Sequence, residues 1–219
     1  MQQESRPWAP AKARVYDYVR RAILDGELAG GTFLEEERVC LAVGVSRTPV
    51  REAFQQLESE RLIDLMPRRG ALVRAVTVQE LMEVYETRLM IESHAVRKLC
   101  SDRQGPPPSM VQTLSRMQQS EDDQTLEHVQ LNTAFHRALV AAAGNSVMLE
   151  LFEFMSTRQE RVAMTSISIE PTRRDVILME HEHLVQALAE HDAASAVATL
   201  TDHLRPIREI LLHLPGASP

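Results

Sequence analysis

The chain has 219 residues, and its 24 Lys and Arg against 31 Asp and Glu give a formal net charge of −7. This length has room for one small and one medium domain, each with its own core. The acidic balance argues against a diffuse nucleic-acid binder. However, residues 1–76 carry twelve basic and eleven acidic side chains, whereas residues 77–219 carry twelve and twenty. A surface for an anionic partner is therefore expected in the first part of the chain.

The sequence predicts a cytoplasmic protein without a membrane partner. Cys40 and Cys100 are too few for a disulfide framework. The chain does not begin with basic residues followed by an apolar run, and no segment approaches the roughly eighteen apolar residues of a membrane-spanning helix. Residues 1–10 contain Pro7 and Pro10 and are predicted to form a flexible arm.

Apolar residues at helical spacing predict three helices in the first domain, over about 11–25, 35–43 and 47–61. Gly44 is expected to end the second helix in the left-handed conformation. Ser46 is expected to accept a backbone N–H group from the first turn of the third helix. These two residues together predict a tight helix-turn-helix joint.

Basic and hydroxyl side chains begin the third predicted helix. Arg47 and Arg51 are four residues apart and therefore share one face, beside Thr48 and the positive end of the helix dipole. Such a face suits DNA phosphates and the acceptor atoms of guanine. The alternative is a solvated surface of paired charges, since Glu52 follows Arg51 directly. The occurrence of a turn, a helix cap and a wing together favours DNA contact.

A two-stranded wing is predicted behind this helix. Short apolar segments at 63–66 and 71–74 flank the sequence Pro67-Arg68-Arg69-Gly70. Gly70 supplies the positive φ that such a tip requires. Residues 11–76 are therefore predicted to form a winged helix-turn-helix domain.

Residues 13–76 resemble the DNA-binding domain of the GntR family of bacterial transcription regulators. The resemblance is carried by the segment Gly44–Ala53, by Leu57 and Leu62, and by the Arg69-Gly70 tip. It implies that Arg47 and Arg51 contact an operator in the major groove and that Thr48 binds phosphate. It also implies that the wing reaches the minor groove through Arg69 and Gly70, with Arg68 assisting.

One position departs from the pattern of this family. Members of the family usually have a basic residue early in the second helix, where this chain reads Glu35-Glu36-Glu37-Arg38. Glu37 is therefore expected to remove one contact with the DNA backbone.

From Thr77 onward the pattern is helical throughout, starting with the capping box Thr77-Val78-Gln79-Glu80. Three prolines at 106–108 predict a loop. The sequence predicts six helices over about 78–100, 109–120, 123–143, 146–167, 172–190 and 192–213. Residues 77–214 are therefore predicted to form an antiparallel all-α bundle, followed by a tail at 215–219.

Three histidines are predicted to point into this bundle. His136 lies one turn after Asn132 on the same helical face, and His181 and His203 come from the last two predicted helices among apolar positions. Three inward imidazoles predict a divalent metal ion such as zinc. The alternative for each histidine is a core imidazole that is hydrogen-bonded to the backbone or to a carboxylate.

The second domain resembles the FCD domain of the FadR subgroup within the GntR family, from about residue 80 to 213. The resemblance is carried by Arg88–Glu92, Phe135-His136, Gly144-Asn145, His181 and His203. In metal-binding members the ligands are one aspartate and three histidines, which correspond here to Asn132, His136, His181 and His203. A neutral amide is a weaker ligand than a carboxylate, so weaker metal binding is expected.

The resemblance also implies an effector, a small carboxylate metabolite that completes the coordination sphere. Arg88 is a candidate partner for that carboxylate. The alternative is a salt bridge between Arg88 and Glu92, one turn further along the helix.

These patterns predict a homodimeric transcription regulator, with repression preferred over activation, that binds a palindromic operator under effector control. A metal-dependent enzyme that uses the histidine cluster is the alternative. No HExxH arrangement, nucleophile motif or phosphate-binding loop supports that alternative. A helical adaptor without an effector would leave the inward histidines unexplained.

Overall fold

The computed structural model describes residues 9–67, 69–120 and 125–216. The chain divides into two compact units, Met1–Ala75 and Val76–Pro219. The described part of the first unit contains three helices and a small sheet, and that of the second contains helices only. The predicted mainly α fold is therefore confirmed. Within the described residues, no helix is long and apolar enough to cross a membrane.

The first unit is a winged helix-turn-helix. Its elements in chain order are α1 (Ala11–Leu24), β1 (Phe33–Leu34), α2 (Glu36–Val43), α3 (Arg47–Ser59), β2 (Ile63–Met66) and β3 (Gly70–Val73). Val15 and Val19 of α1 pack with Val50, Phe54 and Leu57 of α3, and these side chains are almost completely buried. Burial of this apolar stripe orients α3 so that its opposite face remains exposed.

The joint between α2 and α3 agrees with the predicted turn in one respect and differs in another. Gly44 adopts the left-handed conformation, with φ of 70°, and ends α2 as predicted. Ser46 occupies the N-cap position of α3, but its side chain makes no capping hydrogen bond, so that prediction was wrong. Ser46 is exposed, and water can therefore satisfy the donors of the first turn.

The wing contains a third strand that the sequence pattern did not predict. β3 is the central strand and pairs in antiparallel fashion with both β1 and β2. β1 has only two residues, too few to show the alternation by which a strand is recognised. A Cβ atom on Gly70, whose φ is +130°, would lie 2.0 Å from the carbonyl oxygen of Leu34. Glycine at position 70 therefore allows the close approach of β1.

The described part of the second unit contains eight helices. They are α4 (Val78–Ser101), α5 (Pro108–Gln119), α6 (Thr125–Ala142), α7 (Ser146–Phe154), α8 (Ser156–Ile169), α9 (Arg173–Ala189), α10 (Ala193–His203) and α11 (Arg208–His213). The predicted cap of α4 is present, because the hydroxyl of Thr77 accepts the backbone N–H of Glu80 at 3.1 Å.

The prediction of six helices was wrong because two predicted helices are each divided. α7 ends and α8 begins at Met155, whose φ of −92° and ψ of −2° remain near helical values. The apolar pattern therefore continues through this break. α10 and α11 are separated at Pro206, which lacks an N–H group and disfavours a helical conformation at Arg205.

α6 is the element that positions the site. It packs against α4, α5, α7 and α8, while α9 packs against α10. Phe135 and Leu139 of α6, Leu184 and Leu188 of α9, and Leu200 of α10 belong to one buried apolar cluster. The polar groups of the candidate site lie on the same helices as this cluster, so their backbones are held by core packing.

Candidate metal centre and nucleic-acid interface

The side chains of His136, His181 and His203 come together from α6, α9 and α10. A ligand atom from each ring lies within 4.8 Å of the ligand atoms of the other two, and all three residues are buried. The Nε2 atoms of His136 and His181 are 3.1 Å apart. The ring of Phe135 stacks on that of His181, with 4.0 Å between their centroids. The predicted convergence of the three histidines is thus present in the fold.

The spacing of the two Nε2 atoms fits a shared metal ion. Two nitrogens that each lie about 2.0–2.1 Å from one zinc ion are about 2.8–3.4 Å apart for angles near 90–110°. The observed 3.1 Å lies within that interval. The three imidazoles therefore form a cluster that could hold a divalent metal ion.

The buried carboxylate of Glu92 and the half-buried carboxylate of Glu180 lie behind the imidazole rings. Nδ1 of His203 donates to Oε2 of Glu180 at 2.8 Å, since an ionised carboxylate can only accept. Nδ1 of His136 lies 2.7 Å from Oε2 of Glu92, although these atoms are not aligned for a linear hydrogen bond. A carboxylate on Nδ1 fixes the tautomer that leaves Nε2 as the metal-binding atom. Neither carboxylate could be recognised as a histidine partner from the sequence, because the partners lie on different helices.

The electrostatic surroundings keep the three rings neutral. Burial, followed by the charge of Arg88 and the proximity of His203, lowers the pKa of His136 well below its usual value. Burial and the neighbouring His136 act in the same way on the pKa of His181. Burial also lowers the pKa of His203, although the hydrogen bond to Glu180 opposes that shift. Neutral imidazoles retain the lone pair that a metal ion requires.

Asn132 lies one turn before His136 on the buried face of α6. Its side-chain oxygen is buried and makes no hydrogen bond with any described residue. An unsatisfied buried carbonyl is unusual, because buried polar atoms nearly always have a partner. This oxygen is consistent with the predicted fourth ligand, which stays a prediction.

A cavity of about 30 Å³ adjoins the histidine cluster. Its polar lining includes Arg88, Asn132, Gln159, Arg173 and His203. This volume is enough for roughly two water-sized groups. The side-chain nitrogen of Gln159, on α8, is also buried without a hydrogen bond to a described residue. Gln159 could not be recognised from the sequence, because a single glutamine in a helix has no distinguishing pattern.

Arg88 makes the salt bridge that the sequence analysis considered as an alternative. Its Nε atom donates to Oε1 of Glu92 at 2.8 Å, and both side chains are buried. Its Nη2 atom is buried and makes no hydrogen bond with a described residue. The salt bridge therefore leaves Nη2 of Arg88, a residue that lines the cavity, without a partner among the described residues, and the effector role of Arg88 stays a prediction.

The DNA-facing residues of the first unit lie at the exposed start of α3 and at the wing tip. Arg47, Thr48, Arg51 and Arg69 are exposed. Arg68 lies outside the described residues. Gly70 is buried against β1, so the structure explains its backbone conformation, and a DNA contact at this residue stays a prediction.

Both arginines of α3 are paired with acidic residues of α2. Nε of Arg51 donates to the two carboxylate oxygens of Glu36 at 2.9 and 3.0 Å. Nη2 of Arg47 lies 3.7 Å from Oε2 of Glu37. The acidic partner of Arg51 is therefore Glu36 and not the adjacent Glu52 that the sequence suggested. Residues i and i+1 of a helix do not face each other, whereas α2 packs across α3.

Comparison with known proteins decides the identity of the chain. Residues 11–73 match the model for bacterial regulatory proteins of the gntR family, and residues 83–206 match the FCD domain. The chain belongs to the GntR family of transcription regulators. Both resemblances noted in the sequence are thereby confirmed.

Relatives of this GntR regulator extend over nearly its whole length. The transcriptional repressor RspR of Escherichia coli K12 is 28% identical over 206 residues, which cover 93% of this chain and 90% of RspR. The gluconate operon transcriptional repressor of Bacillus subtilis is 26% identical over 207 residues, which cover 92% of this chain and 85% of that repressor. The crystal structure of a GntR protein from Rhodococcus sp. RHA1 matches with a TM-score of 0.72 and 26% identity. The match covers 88% of this chain and 93% of the Rhodococcus chain.

Both named relatives are transcriptional repressors. The GntR regulator is accordingly a transcription regulator, and the metal-dependent enzyme that the sequence left as an alternative has no support. The histidine cluster lies within the residues that match the FCD domain.

Proposed function

We propose that this GntR regulator represses transcription by binding a palindromic operator, and that a small carboxylate bound in the second unit changes its operator affinity. The observation that carries this proposal is the buried cluster of His136, His181 and His203 beside a polar cavity. A buried polar site of this kind is costly to build unless a ligand satisfies it. The names of RspR and of the gluconate operon repressor support repression.

Operator binding is assigned to α3 and the wing. Arg47 and Arg51 project from the exposed first turns of α3, the end of a helix that attracts anionic groups. We propose that they contact bases in the major groove and that Thr48 binds a phosphate. Arg68, Arg69 and Gly70 are proposed to follow the minor groove. A DNA-binding protein of this kind acts in the cytoplasm.

The metal site is assigned to His136, His181, His203 and Asn132. A divalent ion such as zinc, held by these four residues, would have to expand its coordination shell to accept a carboxylate oxygen as a further ligand. The orphaned oxygen of Asn132 and the carboxylates of Glu92 and Glu180 on the outer sides of the rings support this assignment. Since Asn132 is neutral, we expect weaker metal binding than with an aspartate.

The effector is assigned to the cavity beside this cluster. Nη2 of Arg88 is a buried donor available to a carboxylate, and charge-assisted bonds from arginine are among the stronger hydrogen bonds in proteins. The small volume of the cavity favours a short acid. Larger acids would require movement of the lining residues.

A homodimer is proposed because an exposed apolar stripe runs along α7. Val147, Leu151 and Phe154 are 63%, 55% and 62% exposed and lie at helical spacing on one face. Contiguous apolar surface of this kind marks protein interfaces. A two-fold dimer presents two recognition helices to the two halves of a palindrome.

The effector can act only through a difference in affinity between two dimer geometries. An effector that prefers the geometry fitting two half-sites would strengthen operator binding. One that prefers another geometry would release the operator.

A thermal-shift screen of short carboxylic acids, with and without zinc, tests the proposed effector site. A ligand that binds only the native state raises the melting temperature. We expect acids that stabilise the wild-type protein with zinc but not the His203→Ala variant. Acids that stabilise both proteins equally would refute the assignment. Acids found in this way are then tested for an effect on operator affinity.

A further inference from the structure

Glu37 lies on the exposed first turn of α2 beside the start of α3. Its side chain is 75% exposed, and its described ion pair is the one with Arg47, which is 63% exposed. The distance between the charged atoms is 3.7 Å, too long for a direct hydrogen bond. Exposed pairs of this kind contribute little to stability. The pairing of Glu37 with Arg47 therefore has little structural value for the folded unit.

Glu36, the neighbouring acidic residue, behaves differently. Both of its carboxylate oxygens accept from Nε of Arg51, at 2.9 and 3.0 Å, and only a quarter of its side chain is exposed. This arrangement engages both oxygens of Glu36 and leaves the two terminal nitrogens of Arg51 free of that bond. Glu36 orients Arg51, whereas the oxygens of Glu37 remain available to another partner.

The Arg47–Glu37 pair places a donor beside an acceptor at a spacing that matches a base pair. In a G·C pair, O6 of guanine accepts a hydrogen bond from N4 of cytosine, so the two atoms are about 3 Å apart. Both atoms are open to the major groove, one as an acceptor and the other as a donor. A guanidinium nitrogen and a carboxylate oxygen 3.7 Å apart can therefore approach both bases of one pair together.

We propose that Glu37 determines operator specificity by accepting a hydrogen bond from N4 of a cytosine whose paired guanine is bound by Arg47. This inference rests on the proposed placement of α3 in the major groove. It assigns an attractive role to a side chain whose charge repels the DNA backbone.

The chemistry of the groove predicts an order of preference at this pair. G·C in the stated orientation is preferred, because guanine also offers N7 to Arg47. An A·T pair, with adenine facing Glu37 and thymine facing Arg47, has the same donor and acceptor order and is second. The reversed orientations place O6 or O4 against the carboxylate, and two acceptors repel each other. These two orientations are therefore rejected.

The experiment selects bound sequences from a library of randomised duplexes, with the full-length wild-type protein and the Glu37→Gln variant. An amide donates as well as accepts, so the variant should lose selectivity at one base pair in each half-site. We expect about a tenfold loss of discrimination there, with the other positions unchanged. Glu27→Gln is the matched control, because it makes the same charge change at an exposed residue of the same unit.

Affinities for single duplexes then separate a base contact from general repulsion. The Glu37→Gln variant could instead retain its selectivity at every base pair and gain affinity equally for selected and unselected duplexes. This result would overturn the inference. If the wild-type protein enriches no sequence from the library, the proposed operator binding is overturned instead. A third outcome is possible, in which Arg51→Ala abolishes the sequence selection seen with the wild type and Glu37→Gln leaves it unchanged. This outcome would refute the role of Glu37 and would leave the proposed operator binding intact.

Discussion

Replacing Glu92 with glutamine is expected to weaken metal binding, although Glu92 itself is not proposed as a ligand. Glu92 is fully buried on α4, with one carboxylate oxygen 2.8 Å from Nε of Arg88 and the other 2.7 Å from Nδ1 of His136. A glutamine has one accepting oxygen and one donating nitrogen. In either orientation, its NH₂ group faces a donor of Arg88 or the Nδ1–H of His136.

The unfavourable contact of the NH₂ group is expected to lower both metal affinity and folding stability. If the NH₂ group faces His136, Nδ1 has to accept, and the ring proton moves to Nε2, where it blocks metal coordination. Loss of an outer carboxylate typically lowers metal affinity 10- to 100-fold, which corresponds to about 1.4–2.7 kcal/mol. The substitution also leaves the buried charge of Arg88 without its counter-ion, which costs about 3–5 kcal/mol of folding stability in comparable cases.

Zinc affinity measured by competition with a chromophoric chelator checks this prediction. Glu86→Gln is the control, because Glu86 lies on the same helix with an exposed side chain. Circular dichroism shows whether each variant is folded. A folded Glu92→Gln protein with the same zinc affinity as Glu86→Gln would refute the orienting role of Glu92.

Three further outcomes are expected. Gly70→Ala should destabilise the first unit by about 3 kcal/mol in calorimetric unfolding, because its Cβ would overlap the carbonyl of Leu34. Gly44→Ala meets open space and should cost only about 1 kcal/mol; equal costs would contradict the role of the β1 contact. Burial, followed by the charge of Arg174, lowers the pKa of His128 to about 4 from 6.5. Between these pH values the unfolded chain therefore binds a proton that the folded protein does not. Stability should fall by about 3 kcal/mol as pH is lowered through this window. His128→Leu should reduce that slope in chemical denaturation, and an unchanged slope would argue against the role of His128. Arg51→Ala should weaken operator binding by about 1–3 kcal/mol in gel-shift titrations, whereas unchanged affinity would remove Arg51 from the base contacts.

The first unit could be predicted closely because the sequence signals that specify its helices and turns are local. Gly44 ends a helix, and Gly70 accompanies a turn between two short apolar segments. Each of these features depends on neighbours within a few residues. β1 was missed because its two residues become a strand only through pairing with β3, which lies far away in sequence.

The candidate site in the second unit could be predicted only in part. Helical spacing places Asn132 and His136 on one face, and the family resemblance adds His181 and His203. The spacing of residues within one helix does not show that Glu92 of α4 reaches a histidine of α6. This contact depends on how the helices pack, as does the pairing of Glu180 with His203. The break at Pro206 was available in the sequence and was overlooked.

The most direct test of the central claim is operator affinity measured by fluorescence anisotropy, with zinc and a stabilising acid from the thermal-shift screen added separately and together. We expect the acid to change the operator affinity of the zinc-loaded wild type but not that of His203→Ala. Linkage also requires the operator to change the affinity for the acid by the same factor. An operator affinity that stays constant while the acid saturates the wild-type protein would contradict the claim that the histidine cluster controls DNA binding.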